Sequence, residues 1–318
     1  MRYIFIINPA AGKDKEKHWL RERILRAAEK LSKKVEIYFT KCEGDAFVFA
    51  KSLAGEKEKF CLYACGGDGT FNEVVNAVAG ADNISVGCVP CGTGNDFVKN
   101  FSSSDDFLDI EKQLNAEKTD IDLIEVGGKY SANICNMGFD ADVADGMSKF
   151  KRLPGFSGSM AYSLSVVTSM VKKLGFRAKI TCDDDRVFER DITMMVAANG
   201  ICYGGGYYGA PQAKIDDGLM DVCIVKKLSR FKIAGLIGDY KKGNHVDNPK
   251  FQDIIEYFRC KKIALESSAP FTLSADGEIS KCTKATINIV SGGLKFLNPT
   301  IKSTKKTKRR NLNESIVC

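Results

Sequence analysis

The stretch FCLYACGGDGTFNEVVNAVAG, residues 60–80, decides the architecture. Phe60–Cys65 is a continuous apolar run, as a strand buried on both faces would be. Gly66–Thr70 is a glycine turn, and from Phe71 to Ala79 apolar residues recur at helical spacing. The same pattern extends outward. Tyr3–Ile7, Val35–Thr40 and Ile84–Val89 read as further strands, and Glu16–Lys34 and Asp45–Leu53 as helices, the first with Leu20, Ile24, Ala27, Ala28 and Leu31 on one stripe. Alternation at this rhythm predicts right-handed crossovers and an open parallel sheet covered on both faces.

From about Ile121 the rhythm changes. IDLIEV, KYSANICNMG, RAKITCD, RVFERDITMMVAAN, MDVCIVKK and ATINIVSGG are short, β-branched and separated by turn residues. They predict a mainly antiparallel β-rich region, with helical interruptions near Gly158–Lys173 and Arg230–Lys241. The expected fold class is therefore α/β plus mainly-β. Residues 1–120 form the α/β domain, with 292–300 as a candidate to complete it, 121–291 form the β-rich domain, and 302–318 are a tail.

Composition supports two domains at roughly 150 residues each over 318 residues. Apolar residues make up 44% and charged residues 27%, enough to bury a core, which excludes disorder along the whole chain. No uncharged apolar run approaches the roughly 20 residues of a spanning helix. Five apolar residues between Arg2 and Asn8 are too few for a signal-peptide core, so the expectation is a cytoplasmic protein. The net charge of +7 is mostly local: the tail from Lys302 holds six basic residues against Glu314, leaving +2 on the other 301 residues. A near-neutral body does not coat nucleic acid. The twelve cysteines sit mostly in apolar runs and read as reduced core thiols. Cys88 and Cys91 form a CxxC pair without a second pair or a nearby histidine, and two thiols at a strand end is the better reading.

Three glycine clusters follow strands: Asn8–Lys13, Gly66–Thr70 and Gly92–Asp96. In an open parallel sheet the carboxyl ends of the strands line one crevice, so these loops should converge there. Glycine lets backbone amides approach an anion, and a following helix start adds its positive end, which makes a phosphate site the preferred reading. The standard nucleotide fingerprints fail. A Walker loop would need glycine where Ile7 stands, and Gly204–Gly209 matches GxGxxG but leads into Ala210-Pro211 rather than a helix.

Asp68 is an acid at the tip of a loop built for phosphate. It either caps the next helix or reaches the phosphates through a divalent cation; Asp96 repeats the pattern, which favours magnesium. Asp276 and Glu278 flank Gly277, and spacing alone leaves them balanced between a surface hairpin turn and a functional acidic pair.

These motifs together resemble the diacylglycerol kinase catalytic-domain family, and within it the bacterial soluble lipid kinases, relatives of the sphingosine kinases. INPAAGK at Ile7–Lys13, GGDGT at Gly66–Thr70, PCGTGNDF at Pro90–Phe97, YGGG with AKIDDGLMD at Tyr203–Asp221 and ADGE at Ala275–Glu278 occur in family order. The resemblance implies an amino-terminal nucleotide domain of the NAD-kinase and diacylglycerol-kinase type, a β-rich second domain, and a site in the cleft between them. It implies ATP contacts from Asn8, Pro9, Ala10, Ala11, Gly12, Thr40, Gly66, Gly67, Asp68, Gly69, Thr70, Phe71, Asn72 and Thr93. It also implies a structural magnesium held by the Asp217 carboxylate and the carbonyls of Lys214 and Leu219. Glu278 falls at the catalytic base, with Asp276 as its partner and Asp68 as a third catalytic acid.

The function these readings favour is magnesium-dependent transfer of the ATP γ-phosphate to a lipid hydroxyl, diacylglycerol first. A soluble-substrate kinase of the NAD-kinase type and a silent lipid- or nucleotide-binding protein are the alternatives. A lipid substrate at the membrane requires an apolar pocket, for which Phe139, Phe150, Leu153, Phe156, Met160, Tyr162 and Leu164 are candidates as much as for plain core. The basic tail is a candidate contact with the inner membrane face. No nucleic-acid partner is expected, and the oligomeric state is left open, a homodimer included.

Overall fold

The computed structural model describes residues 1–12, 14–151, 164–166, 168–170 and 174–301. The first half is a parallel sheet in the order β2-β1-β3-β4, from β1 (Arg2–Ile7), β2 (Val35–Phe39), β3 (Phe60–Gly66) and β4 (Ile84–Pro90). The alternation of side chains along buried strands sets the two cores. Ile4, Ile6, Leu62 and Ala64 face one side, and Phe5, Ile7, Cys61 and Tyr63 the other. The second of these faces is covered by α1 (Asp14–Lys30), and the first by α2 (Asp45–Leu53) and α3 (Asp68–Val78). A short α4 (Ile110–Leu114) joins α1 on its face.

The second half is antiparallel. It comprises β5 (Glu117–Val126), β6 (Lys129–Ser131), β7 (Ile134–Gly138), α5 (Phe139–Lys151), β8 (Phe176–Cys182), β9 (Arg186–Ala198), β10 (Met220–Lys226), α6 (Arg230–Lys241), β11 (Ile255–Cys260), β12 (Lys262–Ala275) and β13 (Glu278–Asn298). Among the described residues these join the first four strands in one connected sheet.

β13 makes the join. It runs antiparallel to β12 and β5, shifts register between Val290 and Leu294, where Gly292 adopts φ +61°, and then lies parallel to β4 through Phe296 and Val86. Phe296 thereby enters the first half's core, 5.2 Å from the Phe97 ring and 5.3 Å from Phe101.

Four details differ from the sequence reading. α1 ends at Lys30 rather than Lys34, because the chain turns at Ser32 with φ +50°. α3 starts at Asp68, three residues before the expected Phe71, so Gly69 and Thr70 belong to its first turn. α5 has too little apolar periodicity in DADVADGMSK to announce itself, and α4 is a single turn. Of the helix expected over 158–173, residues 164–166 and 168–170 are helical and the remainder lies outside the described residues. All eleven described cysteines are free thiols. No helix among the described residues is long and apolar enough to cross a membrane.

Candidate active site

The three glycine loops meet at the carboxyl edge of the parallel strands and are tied together by side chains. Asn8 donates through Nδ2 to Thr70 Oγ1 at 2.9 Å, and its Oδ1 accepts from the Ala10 amide at 2.9 Å. Both ends of that amide are used to shape the first loop against α3. The Asp68 carboxylate accepts from the backbone N–H groups of Asn95 (2.9 Å) and Asp96 (2.7 Å). The loops approach so closely that a Cβ on Gly92 would stand 2.6 Å from the Gly67 Cα, and one on Gly94 would stand 2.5 Å from Asp68 Oδ2. Only glycine fits there.

Asp68 thus takes a position that neither sequence reading anticipated. It is the first residue of α3, behind an N-cap at Gly67, and its carboxylate takes amides of the third loop. Its hydrogen bonds brace the second loop to the third. Burial, and then the charge of Asp96, raise its carboxyl above the ordinary range. Asp96 is committed as well: it pairs with Lys99 Nζ at 2.6 Å and accepts from the Gly205 amide at 2.9 Å. The glycine run at 204–206, a failed dinucleotide fingerprint, therefore closes the site from the second half of the chain.

The remaining expected nucleotide residues divide by exposure. Gly12, Gly69 and Thr93 are exposed at the loop tips, while Thr40 and Asn72 are buried. The first turn of α3 carries helix-end amides that have no intrahelical acceptor. The ring of Phe71 is buried, stacked on Phe97 at 4.6 Å, and its amide donates to Gly67 O. It supports the loop from the core and, with Gly66, Gly67 and Asp68, lines a small pocket beneath it. Lys13 lies outside the described residues.

Asp276 and Gly277 form the two-residue turn between β12 and β13, with φ +45° and +94°, as a tight hairpin requires. The Asp276 carboxylate accepts three backbone amides, from Ala132 (2.9 Å), Asn133 (3.2 Å) and Ile134 (2.9 Å). Burial nevertheless pushes its carboxyl up to about 6 against the pull of those donors. Glu278, one step on, is exposed, with Lys129 Nζ 3.9 Å from its Oε2. The acidic pair divides into a fixed member and an accessible one.

Two contacts set this hairpin beside the glycine loops. Asn76 of α3 exchanges hydrogen bonds with the Tyr130 backbone, 2.8 Å each way, next to Lys129. Asn133, beneath Asp276, accepts from Asn100 Nδ2 at 3.1 Å, in the turn that leaves the third loop. Asn100, Asn133 and Asn199 were not singled out from sequence, nor was Asp122, which accepts from Gly218 (2.6 Å) and Gly292 (2.8 Å). The available signal was a polar residue inside an apolar strand run, as in IDLIEV and SANIC.

In the 214–219 turn, Asp217 Oδ1 accepts from the Leu219 amide at 3.1 Å, and Arg259 Nη1 stands 3.9 Å from Oδ2. The donors that Lys214, Asp217 and Leu219 offer are all oxygens, which suits a hard cation completed by water.

A small cleft, with a cavity volume of about 50 Å³, opens between α6, β9, β10 and the start of α5. Its walls are apolar, with Phe139, Met194, Tyr207, Val225, Ile233 and Leu236 among them. Asp140 is the charged group at its wall; its carboxylate takes the Tyr203 hydroxyl, which lies 3.3 Å from the Tyr240 hydroxyl. Of the apolar residues expected to line a pocket, Phe139 does so. Phe150 and Leu164 are not among the lining residues, and Leu153, Phe156, Met160 and Tyr162 lie outside the described residues.

Comparison with known proteins agrees with this architecture. The family profile "Diacylglycerol kinase catalytic domain" matches residues 2–126, and "YegS C-terminal NAD kinase beta sandwich-like domain" matches 133–298. A diacylglycerol kinase of Bacillus subtilis is 29% identical over 277 residues, covering 86% of this chain and 88% of its own. The crystal structure of a diacylglycerol kinase from Bacillus anthracis superposes with a TM-score of 0.69 at 21% identity, over 93% of this chain and 96% of that one. An NAD kinase from Archaeoglobus fulgidus, solved with ATP, shares the fold at a TM-score of 0.51 and 12% identity, with 94% of each chain covered.

Proposed function

The chain belongs to the diacylglycerol kinase catalytic-domain family, and on that premise we propose that it transfers the γ-phosphate of ATP to the hydroxyl of a lipid, diacylglycerol first among the candidates. Phosphoryl transfer asks a protein mainly to position donor and acceptor in line and to compensate the charge on the transferring group. In this reading the loops at Asn8–Gly12, Gly66–Thr70 and Gly92–Asp96 hold the triphosphate through backbone amides and the first turn of α3. Glu278 orients the acceptor hydroxyl and takes its proton as the bond to phosphorus forms. Asp276 holds the turn that aims Glu278.

Magnesium would neutralise charge on the phosphate oxygens. The acids of the glycine loops do not suit it as a free ligand pair, since Asp68 is engaged by two amides and Asp96 by Lys99 and Gly205. The 214–219 turn does suit a hard cation, held by Asp217 with the carbonyls of Lys214 and Leu219, in a structural rather than a chemical role.

The observation that carries a lipid acceptor over a soluble one is the apolar cleft. It is joined to the glycine loops through one short segment: Gly205 bonds Asp96, and Tyr207 lines the cleft. ATP as donor places the reaction on the ATP-containing side of the membrane. The test is purified protein with γ-labelled ATP and separate acceptors: diacylglycerol, a sphingoid base, a polyprenol, phosphatidylglycerol and NAD. Label in a lipid product supports the proposal. Label in NADP alone would establish the NAD-kinase type instead, and no transfer at all would leave a binding protein.

A further inference from the structure

α6 has two faces of different character. Its inner face closes the apolar cleft with Ile233, Leu236 and Ile237. Its outer face carries Phe231, 92% exposed, the most exposed large apolar side chain among the described residues. Ala234, Gly235 and Gly238 continue that face and are exposed, and a Cβ at either glycine would meet nothing within 4 Å. A helix face meant for water carries polar side chains there. This one carries a phenylalanine and then a shallow strip with no polar side chain.

Cations surround the strip. Lys227, Arg230 and Lys232 lie within four residues of Phe231 and are exposed, and exposed Lys241 and Lys242 stand at the far end, against Asp239 as the one acid of the helix. Arg230 is held in place by a 2.6 Å bond from its Nε to the Met170 carbonyl. Lys241 lies 5.1 Å from the ring of Tyr207, at the wall of the cleft. An inserted aromatic side chain within a cationic collar matches an anionic bilayer surface, whose headgroups take the lysines while the acyl region takes the ring.

We propose that the outer face of α6 docks on an anionic membrane, with Phe231 inserted and Lys227 and Lys232 on the headgroups. The purpose of this contact rests on the lipid-kinase reading, since the helix that meets the bilayer is the one whose other face walls the cleft; the contact itself needs no catalysis. A lipid rising beside α6 would pass from acyl region to cleft along one helix. Its residues are distinct from those of the basic stretch 302–318.

The chain has a single tryptophan, Trp19, which permits a direct reading. In a Trp19→Phe background, Phe231→Trp reports on that position alone. With vesicles of equimolar phosphatidylcholine and phosphatidylglycerol, its emission should shift to the blue and become protected from an aqueous quencher; with phosphatidylcholine alone it should change little. Phe231→Glu should weaken binding to the anionic vesicles about tenfold or more. Lys227→Glu with Lys232→Glu should weaken it too and reduce its dependence on salt. Turnover on vesicle-borne lipid should fall in Phe231→Glu while turnover on detergent-dispersed lipid stays unchanged. Unchanged emission on anionic vesicles, or unaltered vesicle binding by Phe231→Glu, would overturn the proposal. So would a dimer in gel filtration that Phe231→Glu dissolves without any vesicle binding. If no lipid is phosphorylated at all, the emission and binding measurements still decide the docking surface.

Discussion

Asp68 holds Asp96 through its backbone rather than its side chain: Asp68 Oδ1 accepts the Asp96 amide at 2.7 Å, while Oδ2 takes the Asn95 amide at 2.9 Å. The spacing of two glycine loops thus depends on one carboxylate. Asp68→Ala would leave two partly buried amides without acceptors, which costs about 2–3 kcal/mol. Urea denaturation should show that loss, and KM for ATP should rise by roughly tenfold as the loops separate. Asp68→Asn retains an acceptor oxygen and should lie between. Full stability in Asp68→Ala would show that the brace carries no weight.

Asp276 and Glu278 should separate cleanly under mutation. Glu278 is exposed and, among the described residues, its carboxylate pairs with Lys129 at 3.9 Å, so Glu278→Gln should leave the melting temperature unchanged. Its kcat should fall by roughly 10²–10⁴-fold with KM for ATP nearly constant, as for a group that acts in the transition state. Asp276→Ala removes the acceptor of three amides and should cost about 3 kcal/mol of stability as well as turnover. Near-normal kcat in Glu278→Gln would remove it as the base.

What was legible in the sequence follows from what local pattern encodes. Buried parallel strands announce themselves as apolar runs, and Phe60–Cys65 and Ile84–Val89 match β3 and β4 within a residue. Convergence of the glycine loops followed from the topology of such a sheet. The bracing of those loops did not, because a carboxylate beside glycines reads equally as a cap, a cation ligand or a tie across space. Phe71 makes a related point: motif position does not say how a side chain is turned, and here its ring packs on Phe97 and Phe296. The path of β13 from one half of the sheet to the other depends on a register shift near Gly292 that no periodicity records.

The 214–219 turn gives a prediction about metal removal. If Asp217 holds a cation with the carbonyls of Lys214 and Leu219, saturating magnesium should raise the melting temperature and a chelator should lower it, following the linkage between binding and folding. A hundredfold excess over the dissociation constant corresponds to about 2.7 kcal/mol. Asp217→Ala should start from the lower value and respond to neither treatment. Equal responses from both proteins would place the cation elsewhere.

Asp140 gives a prediction about pH. Burial at the cleft wall raises its carboxyl from 3.8 to about 6, only partly offset by the Tyr203 hydroxyl. Between about pH 4 and 6 the folded chain keeps a proton that the unfolded chain has released, so this residue's contribution to stability falls as pH rises through that window. Its cost is complete above pH 6 and absent below pH 4. Asp140→Asn carries no charge at any pH and keeps an oxygen for Tyr203. It should therefore be more stable than the wild type at pH 7.5, by on the order of 1 kcal/mol once residual solvent contact is discounted. At pH 4 the two proteins should unfold at the same denaturant concentration. Urea midpoints measured for both proteins at pH 4, 5, 6 and 7.5 would trace the difference, and a gap that stays constant across the series would mean that Asp140 keeps its charge throughout.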